Sequence, residues 1–329
     1  MHLLRATNLT CEYLTEPLGL DEPRPRFGWQ LQSSTRGTMQ SAYRLQVFME
    51  DDQVPLFDTG KVSSRSMLGV EYAGAPLRPR TRYRYRVRVW DTRGRDSGFS
   101  EMAHWETGLM SVDHISARWI APEAPDDATE MQPPVRFRRA FALRGGIARA
   151  RLYASALGVY SMAVNGSPAS DALLAPGFTS YTSRIQYQTY DVTDLVRPGE
   201  NAISAVVADG WYRGYLAFKD ARCVYGQRTA LLAQLHVTYQ DGGEDVIFTD
   251  PAWRTDQNGP IRFADIYMGT RYDARIDDVA WRLPGFDADA WPRAAILYHT
   301  RATLVGQRDQ MVRRQMVIRP SSIITTPKG

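Results

Sequence analysis

The chain has 329 residues, a net charge of +4 at pH 7, 43% apolar and 11% aromatic residues. This is ordinary globular chemistry with core enough for about two to three domains, and it excludes a disordered or collagen-like chain. The basic excess is scattered arginine without an RNA-recognition pattern or zinc-ligand spacing, so no nucleic-acid partner is expected.

Cys11 and Cys223 are too few for a disulfide framework, although they could pair if close. The N-terminus MHLLRATNLTCEYL lacks the apolar run of about 7–15 residues that a secretory signal needs. No stretch reaches the ~20 apolar residues of a membrane helix. The expectation is a cytoplasmic protein with no membrane contact.

Residues 1–30 are short apolar pieces broken by Pro17, Gly19, Pro23 and Pro25, an irregular entry to strands. From Ala42 to Phe48 the pattern alternates with period two. Tyr83, Tyr85, Val87 and Val89 then alternate with Arg82, Arg84, Arg86 and Arg88, the cleanest strand in the chain. Its arginines are read as an exposed sheet face meeting carboxylates on neighbouring strands. Leu77, Pro79, Thr81 and Tyr83, followed by Asp91, Gly94, Ser97, Ser100 and Trp105-Glu106-Thr107-Gly108, resemble the end of a fibronectin type III domain over about residues 1–110. The resemblance makes Tyr83 the tyrosine of the corner found in such sandwiches.

Residues 111–134, with APEAPDDATEMQPP, read as a linker. Strands resume from Val135 to Phe141 and from Arg149 to Tyr160, and Asn165-Gly166 marks a hairpin. Further strands follow at Thr182–Val192, Ala202–Val207, Leu231–Tyr239 and Asp245–Phe248, with a single helical turn near Thr193. Short strands at this spacing predict an antiparallel jelly-roll-like sandwich over 135–300. Residues 301–329 read as the truncated start of a following β domain. The predicted class is therefore all-β, two antiparallel β-sandwich domains.

The stretch richest in chemistry is VVADGWYRGYLAFKDARCVYGQR, from Val206 to Arg228. A strand stops at Asp209-Gly210, and Trp211, Tyr212, Arg213, Tyr215 and Phe218 follow on a loop. Aromatic faces beside an arginine fork and the carboxylates of Asp209 and Asp220 suit a polyhydroxylated ligand: rings stack on C–H faces while charged groups bond hydroxyls. The competing reading is that these aromatics close one end of a core. The five histidines lie far apart, with no zinc pair. Asp265, Asp273, Asp277 and Asp278 supply hard oxygens without EF-hand spacing, so no cofactor is required and calcium stays open. No nucleophile motif occurs, and no pattern singles out a general acid from the many carboxylates.

Three blocks carry a second resemblance. They are Leu157-Gly158-Val159-Tyr160 through Asn165-Gly166 to Leu174–Tyr181 and Arg184–Thr193, then Gly199–Ile203 leading to Asp209–Gly214, then Tyr272-Asp273-Ala274-Arg275 with Trp281 and Trp291. In order they resemble the N-terminal β-sandwich of bacterial α-L-rhamnosidases, glycoside hydrolases whose acid and base lie in an (α/α)6 barrel that follows such domains. The resemblance implies a non-catalytic portion of an enzyme acting on terminal α-L-rhamnosides, inactive alone, with a rhamnose-containing glycoside and its own catalytic domain as partners. Some related sandwiches bind rhamnose with calcium. The sugar-contacting residues expected from the side chains are Trp211 for stacking, Arg213 and Asp209 for hydroxyls, and Tyr212, Tyr272 and Asp273 beside them. A competing reading makes the chain a platform for barrel packing or homodimerisation, with Asp273 and Arg275 pinning a loop.

Overall fold

The computed structural model describes residues 4–124, 129–216, 221–276, 279–301 and 304–325. It is built of strands in two sandwiches, as predicted, with one turn of α-helix at Gly210–Arg213. Phe218, Asp220, Asp277 and Asp278 fall outside the described residues.

In the first sandwich a sheet of Arg5–Cys11, Arg26–Gln32 and Val70–Glu71 faces a larger one ordered Leu18–Leu20, Ala103–Thr107, Arg82–Asp91, Gln40–Met49 and Phe57–Asp58. Arg82–Asp91 alternates without a break: Tyr83, Tyr85, Val87 and Val89 are all fully buried around Trp105 and Phe27. Its arginines lie on the other face. Arg82 pairs with Glu50 at 2.6 Å and Arg88 with Asp96, while Arg86 lies over Phe99. The Tyr83 hydroxyl accepts the Arg78 backbone N–H at 2.7 Å, the expected tyrosine corner.

The second sandwich packs the sheet Ser167–Pro168, Val159–Val164, Gly199–Ala208, Val135–Leu143, Arg254–Asp256 against one ordered Ala294–Ile296, Ile120–Pro122, Ala230–Tyr239, Ile147–Leu157, Ile185–Asp191, Leu304–Gly306. Asn165 and Gly166 take positive φ of 52° and 85° in the predicted hairpin. Along Ala230–Tyr239, Leu231, Ala233, Leu235, Val237 and Tyr239 enter the core between the sheets. Ala230 and Leu232 enter a separate cluster on the sheet's outer face. Burial on both faces explains why this strand reads as an apolar run instead of alternating.

That outer cluster changes the reading of two segments. Leu109, Ile115, Ala117, Trp119 and Ala121 all belong to it, so the stretch read as a linker lays apolar residues on the second sandwich and adds Ile120–Pro122 to its sheet. Leu304–Gly306, read as the start of another domain, pairs parallel to Ile185–Tyr187. A second parallel pair, Ala103–Thr107 with Leu18–Leu20, also departs from pure antiparallel pairing.

The sandwiches meet through buried polar contacts. Arg151 grips Glu106 with Nε and Nη2, both at 2.9 Å, the two side chains 10% and 3% exposed. Asp21 accepts hydrogen bonds from the Tyr187 hydroxyl at 2.6 Å, Met110 N at 2.8 Å and Gly306 N at 2.7 Å. Tyr187 in turn accepts from Leu109 N at 2.7 Å. Gly108 is required beside it, since an added Cβ would collide with the Tyr187 hydroxyl and lie 2.7 Å from the Gly19 carbonyl oxygen.

Candidate functional site

The strand Gly199–Ala208 runs into Asp209, and Gly210 turns the chain with φ +54°. An added Cβ there would sit 2.6 Å from Val159 Cγ1 and 2.8 Å from Val159 N, so only glycine passes so close to the neighbouring strand. The helical turn closes with Arg213 N donating to Asp209 O at 3.1 Å, and the chain leaves through the small hairpin Tyr215–Leu216 with Ala221–Arg222. The expected loop is thus a single tight turn.

The turn brings two arginines onto one carboxylate. Arg213 Nη1 donates to Asp209 Oδ1 at 2.7 Å and Arg222 Nη2 to Asp209 Oδ2 at 2.8 Å. Arg213 Nε also donates to Gln227 O at 2.9 Å. Asp209 is 5% exposed and Arg213 1%. The charged groups expected to bond sugar hydroxyls are therefore engaged with one another inside the protein. Sequence reasoning missed Arg222 as the second partner of Asp209, because nothing in its spacing distinguishes it from surface arginines.

Tyr212 is also buried, its ring packing edge-on to Tyr181 at 5.4 Å; Tyr181 in turn packs against Tyr225 at 5.0 Å. Trp211 is half-buried and packs at 5.6 Å against Phe178, which is itself 56% exposed. Phe178 lies in the stretch Leu174–Tyr181, where only a fold could show that it meets Trp211.

Tyr272 ends the hairpin Ile261–Asp265 with Gly269–Tyr272 and is half exposed. Asp273 follows it and is bound by Arg275 Nε at 2.8 Å and Nη2 at 2.7 Å, the loop pin that formed the competing reading. The Arg275 guanidinium holds the Asp273 carboxyl below its usual range. Asp265 fastens the hairpin to the turn: Oδ2 accepts Tyr215 N at 2.9 Å, and Oδ1 accepts Tyr267 N at 2.8 Å and Met268 N at 2.9 Å. Gly214 is needed where this carboxylate passes, because an added Cβ would strike it and the Gly210 carbonyl.

Glycoside hydrolysis needs two reachable carboxyls about 5–9.5 Å apart. Asp209 and Asp265 are each under 9% exposed and take their hydrogen bonds from protein donors. Among the described residues, no three His, Cys, Asp or Glu side chains gather as a metal site, and no helix is long and apolar enough to cross a membrane. The arrangement fixes a turn and leaves an aromatic ledge, Trp211 with Phe178, at its surface.

Comparison with known proteins agrees with this architecture. Residues 145–316 match the family described as Alpha-L-rhamnosidase N-terminal domain, and residues 6–111 match the Rha78A-like N-terminal immunoglobulin domain. An α-L-rhamnosidase of Formosa agariphila is 33% identical over 98% of this chain and 36% of its own length. The crystal structure of Streptomyces avermitilis α-L-rhamnosidase complexed with L-rhamnose superposes with a TM-score of 0.84 at 29% identity, covering 92% of this chain and 45% of that one. The α-L-rhamnosidase of Aspergillus terreus gives 0.86 at 31% identity, over 92% and 35%. The chain spans about a third to under half of the proteins it matches. By the match over residues 145–316, it belongs to the family of α-L-rhamnosidase N-terminal domains.

Proposed function

We propose that the chain is the non-catalytic N-terminal portion of an enzyme hydrolysing terminal α-L-rhamnosides, and that it braces a catalytic domain and shapes the approach to it. The observation that supports this reading is the buried Asp209–Arg213–Arg222 cluster, which is spent on holding a turn and offers no acid or base to a substrate. Direct sugar contact is a second reading, favoured by the ledge of Trp211 against Phe178. Rings presented in this way stack on the C–H faces of a pyranose.

Two measurements on the 329-residue chain test these readings. Incubation with an aryl α-L-rhamnoside is expected to give no turnover, and turnover would overturn the non-catalytic assignment. Calorimetric titration with L-rhamnose, with and without calcium, is expected to be flat for a brace. Saturable heat that disappears in Trp211→Ala would establish the ledge as a sugar site instead.

A further inference from the structure

A histidine sits where the first sandwich, the segment 114–117 and the second sandwich meet. His236 lies on Ala230–Tyr239 and is 9% exposed. Its Nε2 is 3.0 Å from Gln234 Nε2, and its Nδ1 is 3.1 Å from Glu244 Oε1 and 2.8 Å from Arg80 Nη1. Arg80 belongs to the first sandwich and is ion-paired to Glu244.

The orientation of the Gln234 amide is settled by main-chain groups. Its Oε1 accepts Ser116 N at 2.9 Å, and its Nε2 donates to His114 O at 2.9 Å. The second N–H of that amide therefore points at the imidazole, and His236 Nε2 must accept it. The neutral ring then carries its proton on Nδ1 toward Glu244 Oε1, the acceptor beside it, and Arg80 Nη1 directs its N–H at that same carboxylate and not at the ring. A second proton has no acceptor: it would sit on Nε2 against an N–H donor. It could be accommodated only by turning Gln234 and giving up Ser116 N and His114 O.

The surrounding charges oppose that proton on balance. Arg80 faces the ring from the loop before Arg82–Asp91, and Arg151 lies directly across from His236 on Ile147–Leu157. Tyr153 packs edge-on at 5.7 Å. Glu106 from Ala103–Thr107 is committed to Arg151, with Arg149 at 4.0 Å. Glu244 alone among the facing groups favours a cationic ring. Burial, then Arg80, lower the affinity of His236 for a proton, and Glu244 only partly offsets them.

We propose that His236 is a proton-operated latch on the segment 114–117, beside the junction of the sandwiches: the neutral ring holds Gln234 on that segment, and protonation at Nε2 releases it. Because the undocked ring binds a proton more readily than the docked one, docking is fully stabilised above the ordinary histidine range, about pH 6.5, and weakens as pH falls below it. The Glu244 carboxyl, pushed up by burial but held down more strongly by Arg80 and His236, stays ionised until pH is below the usual carboxylate range. Its loss therefore falls in a separate, more acidic window.

The test is amide exchange at Ser116, corrected for intrinsic rate, in the 329-residue chain. Protection is expected to fall between about pH 7.5 and 5.5, by up to about tenfold, the limit for one linked proton over that range. His236→Gln keeps an acceptor for Gln234 and a donor for Glu244, and should remain docked with no pH dependence in that window. Equal dependence in both chains, or none in the unsubstituted one, would overturn the latch. Should H236Q not fold, NMR titration of the ring in the unsubstituted chain decides: a midpoint at or above about 6.5 rules the latch out, and one clearly below supports it.

Discussion

Asp209 is the residue on which the candidate site turns. It serves two guanidiniums at once, and neither it nor Arg213 reaches solvent to a useful extent. Removing one member of a buried charge cluster leaves the others desolvated and uncompensated, at a cost of about 3–5 kcal/mol. Asp209→Ala should therefore lower stability by about that much in urea denaturation, whereas Trp211→Ala, on the ledge, should cost far less. Similar losses would mean that the ledge is as structural as the cluster. Both residues were legible in the sequence as members of one turn. Direction could not be read: four positions apart on a turn, Asp209 and Arg213 can face ligand or interior equally well, and the choice is made by Arg222 from the next hairpin and Gln227 beyond it.

Among the elements, Arg82–Asp91 was the most legible, because a period of two with aromatics on one side and arginines on the other has only one way to sit in a half-buried sheet. Its corner can be tested directly. Tyr83→Phe removes the acceptor of the Arg78 N–H, at a residue that is itself exposed, and should cost about 1 kcal/mol with the strand itself intact. A change below a few tenths would show that the hydroxyl is dispensable. The hairpin Ile261–Asp265 with Gly269–Tyr272 was far less legible, because its outer strand is exposed throughout and carries no burial pattern. It is held instead by Asp265, so Asp265→Ala should speed tryptic cleavage at Arg262 and Arg271 while the rest of the chain resists. Unchanged cleavage would place the anchor elsewhere. Residues 111–124 misled because proline and acidic residues dominate the stretch after Trp119-Ile120; the period of two in Ile115, Ala117, Trp119 and Ala121 just ahead of them is too short to stand out beside that composition.

In the whole molecule, the two sandwiches share charges as well as surface. Glu106 comes from one and Arg151 from the other, both nearly buried. Glu106→Ala leaves Arg151 with Asp191 at 2.7 Å, a partner 55% exposed, so the loss should be near the low end for a broken buried pair, about 3 kcal/mol. Calorimetry should then resolve two unfolding steps where the unsubstituted chain is expected to show one; a single step in both would mean that the coupling does not depend on this pair. The tie at Asp21 has a consequence in time. Its carboxylate receives Gly306 N, 285 residues further along the chain. During synthesis the first sandwich is complete long before that amide leaves the ribosome. Until then Asp21 Oδ2 lacks this partner, and the junction can shut only once residue 306 has emerged. A shortened gene that stops before residue 306 would make both sandwiches and never finish the joint.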